Sequence, residues 1–172
     1  MLVREKVEKE FALLYDHPHG IGLGLTIFSP LKIGILTGKY NDGIPDDSRL
    51  ATAKDGFIEG LNKTYGNEDW QKQFEIVRNL KPVAEKIGCS QAQVSLHIIS
   101  TRHKAILMRK KLAMAWVLAN PRISSAIMGA SKVEQVHEAI KSLEYLPKMT
   151  KEVMDEIDTI MGNKPEPLTM RF

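Results

Sequence analysis

The sequence has little cysteine and no long apolar run. Cys89 is its single cysteine, so no disulfide can form within the chain, which favours a reducing, cytoplasmic setting. No stretch approaches the roughly 18 consecutive apolar residues of a membrane-spanning helix, and the first residues alternate in charge where a signal peptide would be apolar. The histidines form no metal-binding pattern. These absences predict a cytoplasmic protein without membrane insertion and without a metal site.

Acidic residues are absent from residues 94–111, which carry five basic ones. The net charge of +3 at pH 7 therefore comes from this one segment. Its basic residues are Arg102, Lys104, Arg109, Lys110 and Lys111. A basic segment that binds nucleic acid usually carries aromatic side chains for base stacking. This segment has none, so no nucleic-acid partner is expected.

Two short apolar runs predict strands, and the helices predicted around them imply parallel βα units. The runs are residues 22–28, expected to be buried on both faces, and residues 123–128. Two strands cannot form a sheet with both faces covered, so the chain is predicted to be part of a larger α/β fold. Uncovered strand edges and apolar faces predict aggregation or a molten state unless a partner supplies further strands.

Apolar periodicity and capping residues predict the helices. They cover residues 2–15 with Val3, Val7, Phe11 and Leu14 on one face, 68–87 with a kink or break at Pro82, 91–120 after a capping box at 90–93, 131–143 after a capping box of Ser131 and Glu134, and a last helix from Thr150 to Gly162. Residues 41–66 are rich in Asp, Gly and Asn and are predicted to be a long surface loop. The tail from residue 163 is predicted to be loose.

The segment that follows the first predicted strand has the residue types of a phosphate site. Ser29 supplies a hydroxyl beside free backbone N–H groups, and Lys39 and Arg49 supply positive charge. Parallel α/β folds place ligands at this end of a strand. An ordinary βα turn with solvated Lys39 and Arg49 is equally open from the residue types alone.

The segment that follows the second predicted strand begins a helix. Gly129 permits close backbone approach, and a helix start offers unpaired N–H groups and a positive dipole end, which suit a phosphate. Ser131 also fits a helix cap with Glu134. Both roles are compatible, because a capped N-terminus keeps spare donors. Gln135 and Glu138 lie one and two turns further along.

Four stretches together resemble the aldo-keto reductase family, in the branch that includes the potassium-channel β subunits. They are FSPLKIGILTGKYNDGIPDDSR (28–49), GCSQAQ (88–93), LAMAWVLANPRISSAIMGASKVEQVHEAI (112–140) and MDEIDTIMGNKP (154–165). The resemblance covers nearly all of the chain outside residues 94–111. It implies an α/β fold that is part of a (β/α)₈ TIM barrel, with the two strands as the seventh and eighth, and NADP(H) as cofactor.

The resemblance also implies a role for ten residues in holding the cofactor. The resemblance places Ser29, Pro30, Leu31 and Lys32 near the diphosphate and ribose of the cofactor. It places Lys39 and Arg49 facing phosphate charge, and Gly129, Ser131, Gln135 and Glu138 at the adenosine end. The family usually has asparagine where this chain has Ala139, which removes a polar contact to the adenine.

The family's catalytic set is an aspartate, a tyrosine, a lysine and a histidine from earlier strands. The resemblance begins at the helix before the seventh strand, so none of the four has a counterpart in this sequence. A carbonyl reduction by hydride transfer needs a proton donor beside the carbonyl oxygen. We therefore expect no reductase activity from this chain alone, and a small carbonyl substrate only where the full barrel is present. Contacts with an ion channel or with further copies of the chain remain open.

Residues 94–111 interrupt the resemblance. In the family, a sequence like CSQAQ runs directly into LAMAWVLANP, whereas 18 residues intervene here. One hypothesis is that they are a translated intron, since Val94-Ser95 can be encoded by GTAAGT, a typical intron start. A genuine helical insertion and a basic interaction segment are the alternatives. A non-catalytic binding module and an unstable truncated product likewise remain alternatives to a reductase fragment.

Overall fold

The computed structural model describes residue 2 and residues 4–15, 20–88 and 101–166, with side chains from residue 106 onward in the last range. In chain order the strands and α-helices are α1 (Ala12–Tyr15), β1 (Leu25–Phe28), α2 (Arg49–Thr52), α3 (Gly56–Thr64), α4 (Glu68–Lys86), α5 (Thr101–Leu118), β2 (Ile123–Ile127), α6 (Val133–Ile140) and α7 (Lys151–Met161). A π-helical turn (Lys6–Glu10) and two 3₁₀ segments (Lys32–Thr37 and Lys141–Lys148) complete them. None of the described helices is long and apolar enough to cross a bilayer.

The chain divides into two compact units. The strand unit comprises Met1–Pro30 and Met114–Phe172, and the helical unit comprises Leu31–Ala113. The strand unit contains both strands, and the helical unit contains α2, α3 and α4.

The strand unit is built on one parallel pair of strands. β1 lies beside β2 with Phe28 opposite Ile127, and a bulge interrupts the register between Leu25 and Thr26. A side chain at Gly24 would overlap the Oγ of Ser124, so a larger residue there would force the Ser124 side chain to shift. The parallel pairing predicted from the alternating strands and helices is confirmed, and it establishes an α/β arrangement.

The expectation that β1 is buried on both faces is wrong for this chain. Phe28 is 81% exposed and Ile127 is 54% exposed, while Leu25 and Ile27 are half-buried. A continuous apolar run predicts a strand that other elements cover on both sides. A pair of strands leaves part of that apolar surface facing solvent.

Helix α7 supplies much of the core of the strand unit. Thr150 accepts a hydrogen bond from Val153 N at its start, and Gly162 ends it in a left-handed conformation, both as predicted. Of the tail predicted to be loose, the structure describes residues 163–166, where Lys164 Nζ lies 2.8 Å from Asp158, and the rest lies outside the described residues. The buried residues here include Trp116, Val117, Tyr145, Val153, Ile157 and Met161.

The helical unit has an aromatic core. Tyr40, Trp70 and Phe74 are almost fully buried, and the ring of Tyr65 lies 5.2 Å from that of Trp70 and 5.8 Å from that of Phe74. The Tyr65 hydroxyl donates to the Tyr40 carbonyl at 2.6 Å. These contacts attach the segment that follows β1 to α4.

One prediction in this unit is wrong, and another is confirmed in part. Residues 41–66 contain α2 and α3 rather than a long loop, because Ser48 and Asp55 act as helix caps, accepting hydrogen bonds from Ala51 N and Ile58 N. Helix α4 is not split, but continues through Pro82. Pro82 and Arg78, whose carbonyl loses its helical partner, are both exposed, so water can satisfy that carbonyl.

The predicted first helix is only partly correct. Lys6–Glu10 and Ala12–Tyr15 are helical with a turn at Phe11 between them, and Phe11 and Leu14, expected on the buried face, are each 43% exposed. Helix α5 ends at Leu118, close to the predicted end at residue 120. Cys89, the capping box at 90–93, and residues 94–100 lie outside the described residues.

Candidate functional site

The predicted site begins at the carboxyl edge of the sheet. Since Phe28 and Ile127 are register partners, Ser29 follows one strand at the same edge where Gly129 follows the other. Ser29 is exposed and Pro30 is buried. The strand unit therefore brings the ends of both predicted segments to the edge at which parallel sheets bind ligands.

The segment that follows β1 has a strained backbone. Ser29, Lys32 and Ile33 have φ values of 51°, 46° and 59°, in the left-handed region that side chains rarely adopt. For the β-branched Ile33 this conformation is a genuine outlier. Such conformations cost about 1–3 kcal/mol each and cluster at ligand sites, where the surrounding structure holds them.

Lys32 lies against α4. Its Nζ donates a hydrogen bond to Gln73 Oε1 at 3.0 Å, and burial lowers the pKa of the Lys32 ammonium, with Asp69 acting in the opposite direction. Leu31 is half-buried, and its carbonyl accepts from Gly34 N at 3.0 Å. Lys32 is thus a half-buried cation that a neutral side chain already contacts.

Lys39 is held in a compact turn. Its ammonium lies 4.8 Å from the centroid of the Tyr40 ring, and its side chain packs beside Gly34, which has φ 97°. The Lys39 N–H donates to Thr37 Oγ1 at 3.3 Å. Arg49, the other predicted cation of this unit, is the first residue of α2 and is exposed.

The segment that follows β2 is open at its start. Gly129 is exposed, and an added Cβ there would meet no atom within 4 Å. The predicted capping box is wrong: Lys132 is the N-cap of α6 and makes no side-chain cap. Instead, Gln135 Oε1 accepts from Ser131 N at 3.0 Å and from Ser131 Oγ at 3.4 Å, because Gln135 lies three residues beyond the observed cap.

Glu138 lies one turn further along α6. Its Oε1 accepts from Lys141 Nζ at 3.0 Å, and this hydrogen bond raises the pKa of the Lys141 ammonium. Ala139, next to it, is buried. Glu138 is therefore half-buried and already has a cation beside it.

The ten predicted residues divide between the two units. The strand unit contains Ser29, Pro30, Gly129, Ser131, Gln135 and Glu138, and the helical unit contains Leu31, Lys32, Lys39 and Arg49. Sequence reasoning missed Gln73, which contacts Lys32, and Arg109, which contacts the turn of Thr37 and Gly38 beside Lys39. Neither has a local signal, because each acts on a residue far away in the chain, 41 and 72 positions respectively.

The side chains that the structure describes do not suggest a metal site. Among residues 4–15, 20–88 and 106–166, no group of three histidine, cysteine, aspartate or glutamate side chains could hold a metal ion. The chemistry that these residues offer is hydroxyl, backbone N–H and ammonium donors, which suit an anionic ligand.

Three relatives match almost the whole chain. Proteins named voltage-gated potassium channel subunit beta from Schizosaccharomyces pombe, Oryza sativa and Arabidopsis thaliana are 38%, 39% and 38% identical to it over 95%, 95% and 96% of its length. This chain is a relative of the potassium-channel β subunits. That result confirms the resemblance to this branch of the aldo-keto reductases. No protein-family model matches the chain.

The match covers only part of each relative. The chain spans 40%, 42% and 43% of the length of the three proteins, so more than half of each relative has no counterpart in it.

Proposed function

We propose that this chain is the NADP(H)-binding, C-terminal portion of an aldo-keto reductase type (β/α)₈ barrel, with β1 and β2 as its seventh and eighth strands. The observation that carries the proposal is the parallel pairing of β1 with β2, which puts Ser29 and Gly129 at one carboxyl edge. The strained backbone at Ser29 and Lys32 lies in the same segment. Neither observation requires the resemblance, and both agree with it.

The residues at this edge fit the phosphate groups of a dinucleotide. Phosphate oxygens accept hydrogen bonds, and Ser29 and Ser131 are exposed hydroxyl donors. The open space at Gly129 leaves room for a ligand to approach the backbone. In the helical unit, Lys32 has three N–H donors, of which the hydrogen bond to Gln73 uses one.

The bound cofactor would supply the hydride, and the residues of this chain would hold the cofactor. In this proposal Ser29 and Ser131 donate to its phosphate oxygens, and Gln135 positions Ser131. The resemblance assigns Lys32 and Lys39, in the helical unit, to the same cofactor. In this proposal the proton that a carbonyl reduction requires comes from another part of the full barrel. The chain by itself then binds NADP(H) without reducing a carbonyl.

Titration of the full chain with NADPH, followed by the fluorescence of the reduced nicotinamide, tests the proposal. Ser131→Asp would put a negative charge beside the phosphate and should weaken binding at least about tenfold. Lys151→Met, an exposed change at the start of α7, is the matched control and should leave binding unchanged. Absence of saturable binding by folded chain, or equal binding by wild type and Ser131→Asp, would refute the proposal.

A non-catalytic binding module is the second candidate. The relatives are named as channel subunits, and one face of α6 carries the exposed apolar side chains Val133 (68%), Val136 (43%) and Ile140 (57%). Exposed apolar patches mark protein contacts. Binding of the chain to the cytoplasmic domain of a voltage-gated potassium channel, lost in Val133→Ser and with no NADPH binding, would favour this role over the first.

A further inference from the structure

Arg109 is buried in the helical unit with its side chain on the turn that contains Lys39. It lies in α5, within the basic segment 94–111, and is 9% exposed. Its Nε donates a hydrogen bond to the Thr37 carbonyl at 3.1 Å. A guanidinium seldom leaves water without a specific partner, so this contact needs an explanation.

The turn is shaped to receive this guanidinium. Gly38 has φ 74°, and an added Cβ there would lie 2.6–2.7 Å from three atoms of the Arg109 guanidinium. Only a glycine permits both the left-handed backbone and the contact. Gly38 and Arg109 are therefore mutually dependent.

Two further side chains donate hydrogen bonds to backbone carbonyls of the same turn. Tyr65 donates to the Tyr40 carbonyl at 2.6 Å, and Arg78 Nη2 donates to the Asn41 carbonyl at 3.3 Å. Burial lowers the pKa of the Arg109 guanidinium, Asp42 opposes that change, and Arg78 adds to it. Two guanidinium groups and one hydroxyl therefore hold the backbone carbonyls of residues 37, 40 and 41, on either side of Lys39.

We propose that Arg109 is a positioning residue that holds the turn of residues 37–41, and with it Lys39, in the conformation that receives the cofactor's phosphate. The assignment rests on the proposed function for the ligand, but the contact with the turn stands without it. It also gives Arg109, one residue of the segment 94–111, a structural role, which the translated-intron hypothesis does not predict.

Hydrogen exchange of the full chain tests the positioning directly. Arg109→Met keeps the length of the side chain but loses donor and charge, and it should speed exchange of the Gly38, Lys39 and Asn41 amides at least about tenfold. Arg109→Lys keeps a donor and a charge and should retain most of the protection. Lys81→Met, which removes an exposed cation of α4, is the matched control and should change nothing.

Three outcomes of the exchange experiment would contradict the proposal. Equal protection of the turn in wild type and Arg109→Met, or identical exchange in Arg109→Met and Arg109→Lys, overturns the proposal. Loss of protection throughout α4 as well as in the turn also overturns it, because Arg109 would then be a general stability residue. Wild-type NADPH binding tests the proposed function separately, since exchange in the turn is measured without ligand.

A second pair of variants keeps the test independent of Arg109. Gly38→Ala should displace the guanidinium and speed exchange in the turn, and this effect should disappear in the Arg109→Met background. Gly43→Ala is the matched control: Gly43 also has positive φ (128°), but an added Cβ there meets no atom within 4 Å. Its effect should be the same in both backgrounds, and a Gly38→Ala effect that persists without Arg109 counts against the proposal.

Discussion

Replacing Arg4 by Met should destabilise the strand unit markedly. The Arg4 side chain is 6% exposed and makes three hydrogen bonds to two carboxylates. Its Nε and Nη2 each lie 2.7 Å from Glu8, and its Nη1 lies 2.6 Å from Asp158. The guanidinium carbon lies 4.9 Å from the centre of the Trp116 ring. A single side chain thus joins the N-terminal segment to α5 and α7.

The expected loss is about 2 kcal/mol in the free energy of unfolding. Removing one partner of a buried ion pair costs about 3–5 kcal/mol when the other charge is left uncompensated. Here Asp158 retains Lys164 at 2.8 Å, and Glu8 is 17% exposed and can be partly rehydrated, so the loss is smaller. Methionine keeps the apolar contact with Trp116, so the loss measures mainly charge and hydrogen bonding.

Urea unfolding followed by tryptophan fluorescence measures this loss. The chain has two tryptophans, one in each unit, and a Trp70→Phe background leaves Trp116 as the reporter of the strand unit. Lys151→Met is the control, because it breaks an exposed ion pair with Asp155 and should leave the free energy of unfolding nearly unchanged. An Arg4→Met loss no larger than that of the control would refute the reasoning.

Four further changes have defined outcomes. Gly24→Ala should lower the free energy of unfolding of the strand unit by about 1–3 kcal/mol in urea, and Ser124→Gly added to it should restore the stability. Failure of that rescue would contradict the close approach of Gly24 and Ser124. Lys32→Met should leave stability unchanged or raise it, because a half-buried charge is removed, yet weaken NADPH binding in titration; unweakened binding contradicts its role. Phe28→Ser should reduce binding of the hydrophobic dye ANS by the isolated chain, because this ring is 81% exposed, and equal dye binding would contradict this. Ile157→Ala, at a fully buried position of α7, should cost about 2–5 kcal/mol in urea unfolding, and a loss below about 1 kcal/mol would show that the position is not core.

The elements that the sequence predicts well are those whose signals are local. β2 is a short run with isoleucine at each end, and α7 is capped by Thr150 at its start and by Gly162 at its end. Helices α2 and α3 escaped prediction because Ser48 and Asp55 are as common in turns as at helix starts, and tertiary packing decides between the two.

The sequence predicts which segments of the chain contribute to the site. The chain order of strands and helices suffices to put Ser29 and Gly129 at one edge, since parallel strands end at the same side of a sheet. The partners of the side chains are not predictable in this way. Gln73 reaches Lys32 and Arg109 reaches the Thr37 carbonyl only through the packing of helices that are distant in sequence. Positive φ at Ile33 likewise depends on that packing, since isoleucine avoids this conformation by itself.

Hydrogen exchange of the full chain with and without saturating NADPH tests the central claim most directly. If the carboxyl edge of the sheet is the cofactor site, NADPH should protect the Ser29 amide and amides in residues 129–135 together, while amides in α3 keep their exchange rates. Protection of neither, or of only one of them, would contradict the account.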